Sequence, residues 1–314
     1  MEAMEMDCLK GDWGLPSVNM KCLNIMTYVQ FVDAPVKFHK DKKLWKNLTA
    51  HYPIFRANEK VFKDSDEEVI KYLKEKNFNA DAGLTDQERA DVLAYAALME
   101  ERLQPALLYL WWVDAKNHVE FSRPWYARAF HFPFNYFLPG RIHRAAEERL
   151  ESTRGGNHIL PEELRSKVFK DAKDCLDLLS EKLNEQQFFF GDSPSSLDAL
   201  VFSYLAPILR VPFPNNELKD HVKQSENLWM YCSRILQRYF PATSEDAAEQ
   251  KRNETMRDTP NSLDEDPHKV RNIVLSVAVA LCALVGYGLM SGLVQLEVVG
   301  HEGEEEDSED GMAE

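Results

Sequence analysis

The pattern of apolar and polar positions changes near residue 80. Before that point, apolar residues occur in short runs broken by Pro and Gly, which is typical of strands and turns. After it, they recur every three or four residues, which is typical of amphipathic helices. We therefore predict an α/β unit over residues 1–80 and an all-helical unit over residues 81–241.

The first unit has a recognisable order of elements. The pattern predicts a strand at Met4–Lys10, a helix at Ser17–Val32, a strand at Val36–His39, a hairpin of Tyr52–Phe55 with Lys60–Phe62, and a helix capped by Ser65. This order is that of a thioredoxin-like fold. Such a fold often carries a cis peptide before the proline of the hairpin strand, here Pro53.

Capping residues and breakers divide the second unit into helices. A capping box at Thr85–Glu88 starts the first one, and we expect its apolar spacing to continue through Leu93, Ala97, Leu98 and Leu103 to Leu108 and Trp111. Pro105 should kink or restart it, and Leu138–Arg141 reads as a turn. Further helices are predicted at Glu162–Leu183, after a cap at Ser195 or Ser196 with Asp198 in the first turn, and at Leu228–Phe240.

One apolar run lies beyond both units. Ile273–Leu296 holds 24 residues without a carboxylate or ammonium group. A helix of that length spans roughly 36 Å, enough to cross a hydrocarbon core of about 30 Å. The alternative is a buried helix of a globular core, but Lys269 and Arg271 precede the run, as expected at a membrane interface. We predict a transmembrane anchor over residues 272–296, marked along its length by Ile273, Leu281, Gly288, Gly292 and Leu296.

The segments around the apolar run set its orientation. The N-terminus is acidic and lacks both an apolar signal core and an Arg-rich presequence, so the anchor itself is the expected targeting signal. Because the basic residues precede the run, residues 1–241 are expected in the cytosol. Residues 242–268 are polar and read as a flexible linker, and residues 297–314 form an acidic tail.

Charge and cysteine content argue against two kinds of site. The formal net charge is −15, and the nine acidic residues of 297–314 leave −6 on residues 1–296. This mild balance does not favour nucleic-acid binding, which needs a basic face. The five cysteines are odd in number and widely spaced. They predict reduced thiols rather than a disulfide framework or a zinc site.

Short motifs connect the chain with known proteins. The segment Phe190–Ala199, Phe-Gly-Asp-Ser-Pro-Ser-Ser-Leu-Asp-Ala, resembles the capping motif in the helical domain of glutathione S-transferases (GSTs). The resemblance implies a GST-like fold for residues 1–241. A narrower resemblance, to the metaxin family and its anchored member, is carried by Trp13–Ser17, Lys76–Asp81, Phe137–Arg141, Phe188–Asp192 and the C-terminal apolar run.

The metaxin resemblance implies a function. It points to a non-catalytic subunit of the mitochondrial outer-membrane machinery that imports proteins and sorts and assembles β-barrels. The implied partners are metaxin-2 and the β-barrel insertase, with further links to the cristae-organising complex and to motor adaptors. The alternatives are a membrane-tethered glutathione-dependent transferase and an adaptor that couples mitochondria to motor proteins.

Catalytic residues are few. A transferase of this type needs a Tyr, Ser or Cys near the end of the first strand to activate a thiol. The segment Gly11–Ser17 offers only Ser17, which we predict to cap a helix. Ser65 lies where transferases bind the γ-glutamyl carboxylate, and its capping role explains it equally well. We interpret Ser17, Pro53 and Ser65 as vestigial glutathione-site positions, and predict no enzyme activity, cofactor or metal.

Aromatic residues are concentrated in one part of the helical unit. They are Trp125, Tyr126, Phe130, Phe132, Phe134, Tyr136 and Phe137. Such residues dominate helical cores but are also enriched at the centres of interfaces, and their spacing leaves both interpretations open. In the apolar run, Gly288 and Gly292 would permit close approach of a second helix within a membrane.

Overall fold

The computed structural model describes residues 4–40, 52–129, 134–154, 161–241 and 269–290. The chain forms two compact units, Met1–Thr255 and Met256–Glu314. In the described residues, the first unit contains a small sheet and a larger set of helices, and the second contains one helix.

A mixed sheet is built from the N-terminal part of the first unit. Its strands are β1 (Met4–Cys8), β2 (Val36–Lys40), β3 (Ile54–Ala57) and β4 (Lys60–Lys63). Their order is β2-β1-β3-β4, with β1 parallel to β2 and antiparallel to β3. Met4, Met6 and Cys8 are buried and the residues between them are half-buried, which is the alternation expected of a strand. The predicted order of strands and helices is confirmed.

The hairpin of β3 and β4 also follows the prediction. Ile54 pairs with Lys63 and Ala57 with Lys60, so Asn58 and Glu59 form the turn. Asn58 has a φ of 52°, which asparagine tolerates better than most residues. The Tyr52–Pro53 peptide is cis, as the sequence predicts.

Two helices complete the N-terminal part. The parallel pair of strands is connected by α1 (Met20–Val32), which begins later than the predicted Ser17. Its N-cap is Asn19, whose Oδ1 accepts a hydrogen bond from the Cys22 N–H at 2.9 Å. Asparagine caps a helix as well as serine does, so the pattern did not distinguish them. The helix α2 (Asp66–Glu75) starts after Ser65, and the predicted cap is confirmed.

The rest of the first unit is helical. Its helices are α3 (Asp86–Leu98), α4 (Gln104–Leu108), α5 (Ala115–Asn117), α6 (Arg123–Ala129), α7 (Phe134–Arg154), α8 (Pro161–Leu183), α9 (Ser196–Arg210), α10 (Glu217–Gln224) and α11 (Glu226–Tyr239). π-Helical turns at Met99–Leu103, Tyr109–Val113 and His118–Ser122 lie between α3 and α6. Pro105 lies at the start of α4, where its missing N–H is tolerated. The predictions of α8, α9 and α11 are confirmed, whereas α10 was not predicted.

The predicted apolar face of α3 is wrong at Leu93 and Ala97, whereas Leu98 packs against the core as predicted. Leu93 is 72% exposed and Ala97 is also exposed. The inward face instead runs through Val92, Tyr95 and Met99. These positions follow the helical period of three to four residues, so the prediction selected a stripe displaced by about one residue around the helix.

The predicted turn at Leu138–Arg141 is also wrong, because these residues lie inside α7 with Pro139 in the helix. A proline inside a helix costs about 3 kcal/mol. Leu138, Ala146 and Leu150 are buried on one face of α7. We infer that the burial of this stripe outweighs the cost, since each large apolar side chain contributes about 1.5–3 kcal/mol.

The core of the first unit is centred on α9. This helix contacts α1, α3, α4, α10 and α11, and nearly all of its residues are buried. The apolar stripe of α8 faces the same core, with Val168, Cys175, Leu176, Leu179 and Leu183 buried as predicted. The sequence pattern predicts both helices, α9 from the capping residues at its start and α8 from the regular period of its apolar residues.

The second unit contains α12 (Lys269–Met290). Ile273 and Leu281 on this helix are more than half exposed. Among the described residues, no helix is long and apolar enough to cross a membrane. The last part of the predicted anchor, with Gly292 and Leu296, lies outside the described residues, as do the predicted linker and the acidic tail.

Candidate functional site: an apolar cleft beside the first strand

The loop between β1 and α1 has an unusual backbone. Gly11 is required there, because a Cβ atom at this position would overlap the carbonyl oxygen of Leu15. Trp13 has a φ of 55°, in the left-handed region that bulky residues rarely adopt. Such a conformation persists only where surrounding contacts hold it.

Those contacts are aromatic. The ring centroid of Trp13 lies 5.1 Å from that of Phe121, 5.6 Å from Trp125 and 6.4 Å from Trp111. The buried carboxylate of Asp12 accepts hydrogen bonds from Trp125 Nε1 at 2.8 Å and from the Trp13 N–H at 2.9 Å. The loop is therefore fixed to the helical part of the unit by tilted aromatic rings and by the Asp12 carboxylate.

Ser17 is not the helix cap that the sequence predicts. It is fully buried, its hydroxyl donates to the Leu9 carbonyl oxygen at 2.8 Å, and its oxygen accepts from the Asn19 N–H at 3.2 Å. A hydroxyl has a single proton to donate, and here the backbone takes it. Ser17 is therefore a buried residue whose side chain bonds to the backbone of its own loop.

A cleft of about 220 Å³ lies between this loop and the helices. Its walls include Leu9, Val18, Leu107, Trp111, Trp112 and Ile142. None of the described residues that line it carries a formal charge at neutral pH. Burial raises the pKa of Tyr126, another lining residue, so its hydroxyl also stays neutral. The cleft is an uncharged, largely apolar cavity.

The predicted vestigial positions are not among the described residues that line the cleft. Tyr52 contributes to the wall, but the buried Pro53 that follows it is not among the described lining residues. Ser65 caps the start of α2, where its Oγ accepts a hydrogen bond from the Glu68 N–H at 3.2 Å. Ser17, Pro53 and Ser65 are thus not brought together around the cavity.

The thiols near the cleft are also buried. Cys8 ends β1 and lies inside the strand, as predicted. Burial raises the pKa of Cys22, and the nearby Cys8 raises it further. Nucleophilic or redox chemistry needs a thiolate, so a raised pKa does not favour a catalytic role.

A second contact between the N-terminal part and the helices is polar. The buried Asp81 accepts hydrogen bonds from the Ser196 N–H at 2.7 Å, the Ser196 hydroxyl at 2.6 Å and the Lys74 ammonium at 2.6 Å. Burial opposes ionisation of Asp81, but the bonds from Lys74 and Ser196 outweigh it and lower its pKa. The Asp81 carboxylate, which lies 115 residues before Ser196 in the sequence, thus caps the positive N-terminal end of α9.

The capping box of α9 adds a second buried carboxylate. Asp198 accepts from the Ser195 N–H at 2.8 Å, the Ser195 hydroxyl at 2.6 Å and the Phe189 N–H at 3.0 Å. The Tyr231 hydroxyl also donates to its side chain, at 3.2 Å. Burial raises the pKa of Asp198 despite these donors. The sequence predicts a cap at Ser195 or Ser196 with Asp198 in the first turn, whereas nothing in its local pattern indicates Phe189, Tyr231 or Asp81 as partners.

The predicted aromatic cluster does not form one patch. Trp125 is buried, Tyr126 and Phe134 are half-buried, and Phe130 and Phe132 lie outside the described residues. By contrast, Tyr136 is 66% exposed and Phe137 is 52% exposed on α7. The core interpretation therefore holds for the buried part of the cluster, and an interface at its exposed part stays a prediction.

The chain matches two family models. One, described as outer mitochondrial membrane transport complex protein, covers residues 22–143, and the other, glutathione S-transferase C-terminal domain, covers residues 172–235. Metaxin-1 of Macaca fascicularis is 41% identical over 296 residues, which cover 94% of this chain and 92% of that protein. The chain belongs to the metaxin family.

Two further comparisons are with a second metaxin and with a solved structure. Metaxin-3 of Xenopus laevis is 40% identical over 78% of this chain and 78% of that protein. The crystal structure of the β-etherase LigF from Sphingobium sp. strain SYK-6 is 14% identical, with a TM-score of 0.49, and covers 80% of this chain and 99% of that one. With its small mixed sheet and predominance of helices, this metaxin has a GST-like fold.

The motifs that indicated a metaxin serve the structural contacts described above. Trp13–Ser17 is the aromatic loop beside the cleft, and Lys76–Asp81 supplies the carboxylate that caps α9. In Phe188–Asp192, the Phe188 N–H donates to the Gly191 carbonyl at 2.9 Å, in a tight turn where Gly191 has a φ of 107°. The first two motifs help to hold the N-terminal part against the helices.

Proposed function

We propose that this chain is a non-catalytic subunit of the mitochondrial outer-membrane machinery for protein import and for β-barrel sorting and assembly. Membership of the metaxin family supports this proposal. So does the match of residues 22–143 to a family described as outer mitochondrial membrane transport complex protein. The proposed partners are metaxin-2 and the β-barrel insertase of that machinery.

The observation that carries the non-catalytic part of the proposal is the state of Ser17. It is the hydroxyl that the segment after β1 offers for activating a thiol, and it is fully buried and donates its proton to the Leu9 carbonyl. The uncharged lining of the cleft gives further support, because ionised substrate groups need charged or hydrogen-bonding partners once they leave water.

We also propose a single-pass topology with the GST-like unit in the cytosol. The support comes from the sequence of residues 272–296, which has no ionisable carboxylate or ammonium group, and from the basic Lys269 and Arg271 that precede it. Protease treatment of intact mitochondria tests this topology. We expect the GST-like unit to be digested and the acidic tail to be protected until the outer membrane is opened.

The proposed partner contact is on α7. Tyr136 and Phe137 are adjacent, aromatic and exposed on this helix. Aromatic side chains are enriched at the centres of protein interfaces, where they bury much area at little cost in side-chain entropy. Their exposure is what favours an interface here over a purely structural role.

The experiment is a native gel of gently solubilised mitochondria, with identification of the proteins that co-migrate. We expect a large complex that contains metaxin-2 and the β-barrel insertase. Changing Tyr136 and Phe137 together to alanine should shift the chain to smaller species. The matched control is Leu93→Ala, which removes another exposed apolar side chain and should leave the complex intact. Migration of the unchanged chain as a monomer would contradict the proposal.

A further inference from the structure

Two histidines from different parts of the helical region pack face to face. His118 begins the π-helical turn His118–Ser122, and His143 lies on α7. Their ring centroids are 4.4 Å apart and the ring planes differ by 24°. This histidine pair therefore joins the turn to α7 through two side chains whose charge depends on pH.

The position of the proton on His143 follows from its hydrogen bond. Its Nδ1 lies 2.7 Å from the carbonyl oxygen of Trp112, which can only accept, so Nδ1 carries a proton. Its Nε2 lies 3.4 Å from Oε1 of Glu147, one turn further along α7. A second proton, on Nε2, would therefore form an ion pair with Glu147. The geometry thus places His143 where it can carry a positive charge.

His118 lies in the opposite situation. Its Nδ1 is buried and has no hydrogen-bond partner among the described residues. Because a charged imidazole donates from both nitrogens, charging His118 would bury an N–H group without an acceptor. Burial lowers the pKa of His118 below its ordinary value of 6.5, and the positive charges of His143 and Arg123 lower it further. His118 is therefore uncharged at neutral pH.

The groups around His118 do not offset a positive charge on it. Arg123, which starts α6, and His143 on α7 both oppose such a charge. In the segment before the turn, the buried carboxylate of Asp114 already accepts hydrogen bonds from Asn117 and Asn215. The other titratable groups on these segments are the exposed Lys116 and Glu120, and Tyr109 and Tyr126, whose pKa is raised by burial so that they stay neutral.

Acidification should therefore destabilise the histidine pair. With one proton, the charge lies on His143 beside Glu147 and the rings can remain stacked. With two protons, both rings are positive at a centroid distance of 4.4 Å, and the Nδ1–H of His118 has no acceptor. A separated pair would bind the second proton more readily. The contact is thus favoured above pH 6.5 and loses stability as the pH falls through the lower pKa that His118 has in the folded chain.

We propose that the histidine pair is a pH-sensitive contact, closed at neutral pH and opened when both rings are charged. Opening would release the turn His118–Ser122 from α7. Because α7 also carries Tyr136 and Phe137, opening would change the surface proposed above for the partner contact. This last consequence rests on the proposed function, whereas the opening of the pair does not.

Hydrogen exchange with mass spectrometry tests the proposal, because amides exchange when their segment opens locally. It is measured on the full chain in lipid nanodiscs at about pH 7.5 and about pH 5.5, and the rates are corrected for the intrinsic effect of pH on exchange. We expect residues 118–122 and α7 to lose protection by at least about threefold at the lower pH, since half a pKa unit changes an equilibrium by that factor. The buried helix α9 is the internal reference and should keep its protection.

Two variants locate the response. His118→Phe keeps an aromatic ring in the stack but cannot be charged, so the acid-induced loss of protection in α7 should disappear. His143→Phe removes the repulsion between the rings and should weaken the loss. The matched control is His221→Phe on α10, whose Nε2 lies 2.8 Å from Asp177 of α8. This control should leave the response of α7 unchanged.

Two results would overturn the proposal. One is protection of α7 that is the same at both pH values after correction. The other is a loss that His118→Phe retains in full, since acid would then act elsewhere in the chain. If His118→Phe does not fold, the same outcome in His143→Phe is decisive. A native gel at both pH values tests the consequence separately: a complex that stays intact while α7 opens would contradict the partner contact on α7 and not the opening of the pair.

Discussion

The contact around Asp81 and the contact around Trp13 both join the N-terminal part of the first unit to its helices, but with different chemistry. At the first, Asp81 is buried and receives hydrogen bonds of 2.6–2.7 Å from Ser196 and Lys74. At the second, Trp13 packs its ring among Trp111 and other aromatic side chains, next to a cavity of about 220 Å³.

This difference indicates how each contact should respond to change. A buried polar contact depends on geometry, because a donor or acceptor that loses its partner incurs the full cost of desolvation. Aromatic packing is less directional, and volume-conserving changes in it usually cost little. We therefore expect the polar contact to specify how the sheet sits on the helices, and the aromatic contact to tolerate changes that conserve volume.

The largest expected effect is that of removing the carboxylate of Asp198. In Asp198→Ala, the N–H groups of Phe189 and Ser195 would be buried without this acceptor, whereas the Tyr231 hydroxyl keeps the backbone carbonyl of residue 198 at 3.0 Å. At about 1–3 kcal/mol for each unsatisfied group, we expect a loss of about 3–5 kcal/mol in the free energy of unfolding. Urea unfolding measures it.

The control for that change lies in the same segment. Asp192 is exposed. Asp192→Ala should therefore alter the free energy of unfolding by less than about 0.5 kcal/mol, as surface changes usually do. Equal losses in the two variants would show that the buried capping box does not stabilise the unit.

A smaller effect is expected at Asp81. An asparagine has one oxygen, so Asp81→Asn cannot accept from both the N–H and the hydroxyl of Ser196 and also bind Lys74. We expect a loss of about 2–3 kcal/mol at pH 7, in the range of hydrogen bonds to charged groups. Urea unfolding at neutral pH measures it.

The same carboxylate predicts a pH dependence. The pKa of Asp81 is lower in the folded chain than its ordinary value of 3.8. The unfolded chain therefore binds its proton first on acidification. The stabilisation from Asp81 should be complete above the ordinary pKa of 3.8, and it should be lost as the pH falls through the lower pKa of the folded chain. Stability curves of the unchanged chain and of Asp81→Asn should converge at acidic pH, and curves that stay parallel would contradict this assignment.

At the aromatic contact, Gly11 offers the sharpest test. Gly11→Ala forces a Cβ into the carbonyl oxygen of Leu15, so the loop that carries Trp13 must shift. We expect a loss of about 1–3 kcal/mol, as for other overpacked sites, and a change in tryptophan fluorescence. Gly83→Ala is the control, because nothing lies within 4 Å of the added Cβ there. A loop that tolerates Gly11→Ala without either change would show that its tight turn is not needed.

Much of the fold was predictable because local signals agreed with tertiary packing. Three features depend on the sequence of one segment alone. They are the alternation of buried residues in β1, the cap of α2 at Ser65 and the apolar stripe on α8. The turn at Leu138–Arg141 failed because Pro139 is a strong local signal for a helix end, and the burial of Leu138 and its stripe overrides it. Here tertiary packing outweighed local propensity.

Less of the candidate site was predictable. Ser17 stands at a plausible helix start, but its hydroxyl bonds to Leu9 across the loop, a contact that the sequence alone does not reveal. Asp81 and Ser196 are 115 residues apart, so only the folded chain brings them together. The uncharged cleft is likewise formed by separate segments, none of which is unusual in isolation.

The smallest expected effect, that of Ser17→Ala, tests the idea that the aromatic side of the molecule is structural. Because the hydroxyl donates to the Leu9 carbonyl in a buried position, its removal should cost about 1 kcal/mol of unfolding free energy. The assembly of the native complex should not change, since Ser17 has no exposed surface. Ser65→Ala, which removes the cap of α2, is the matched control and should cost a similar amount. If glutathione turnover were present in the unchanged chain and lost in Ser17→Ala but not in Ser65→Ala, the cleft would be catalytic and the non-catalytic proposal wrong.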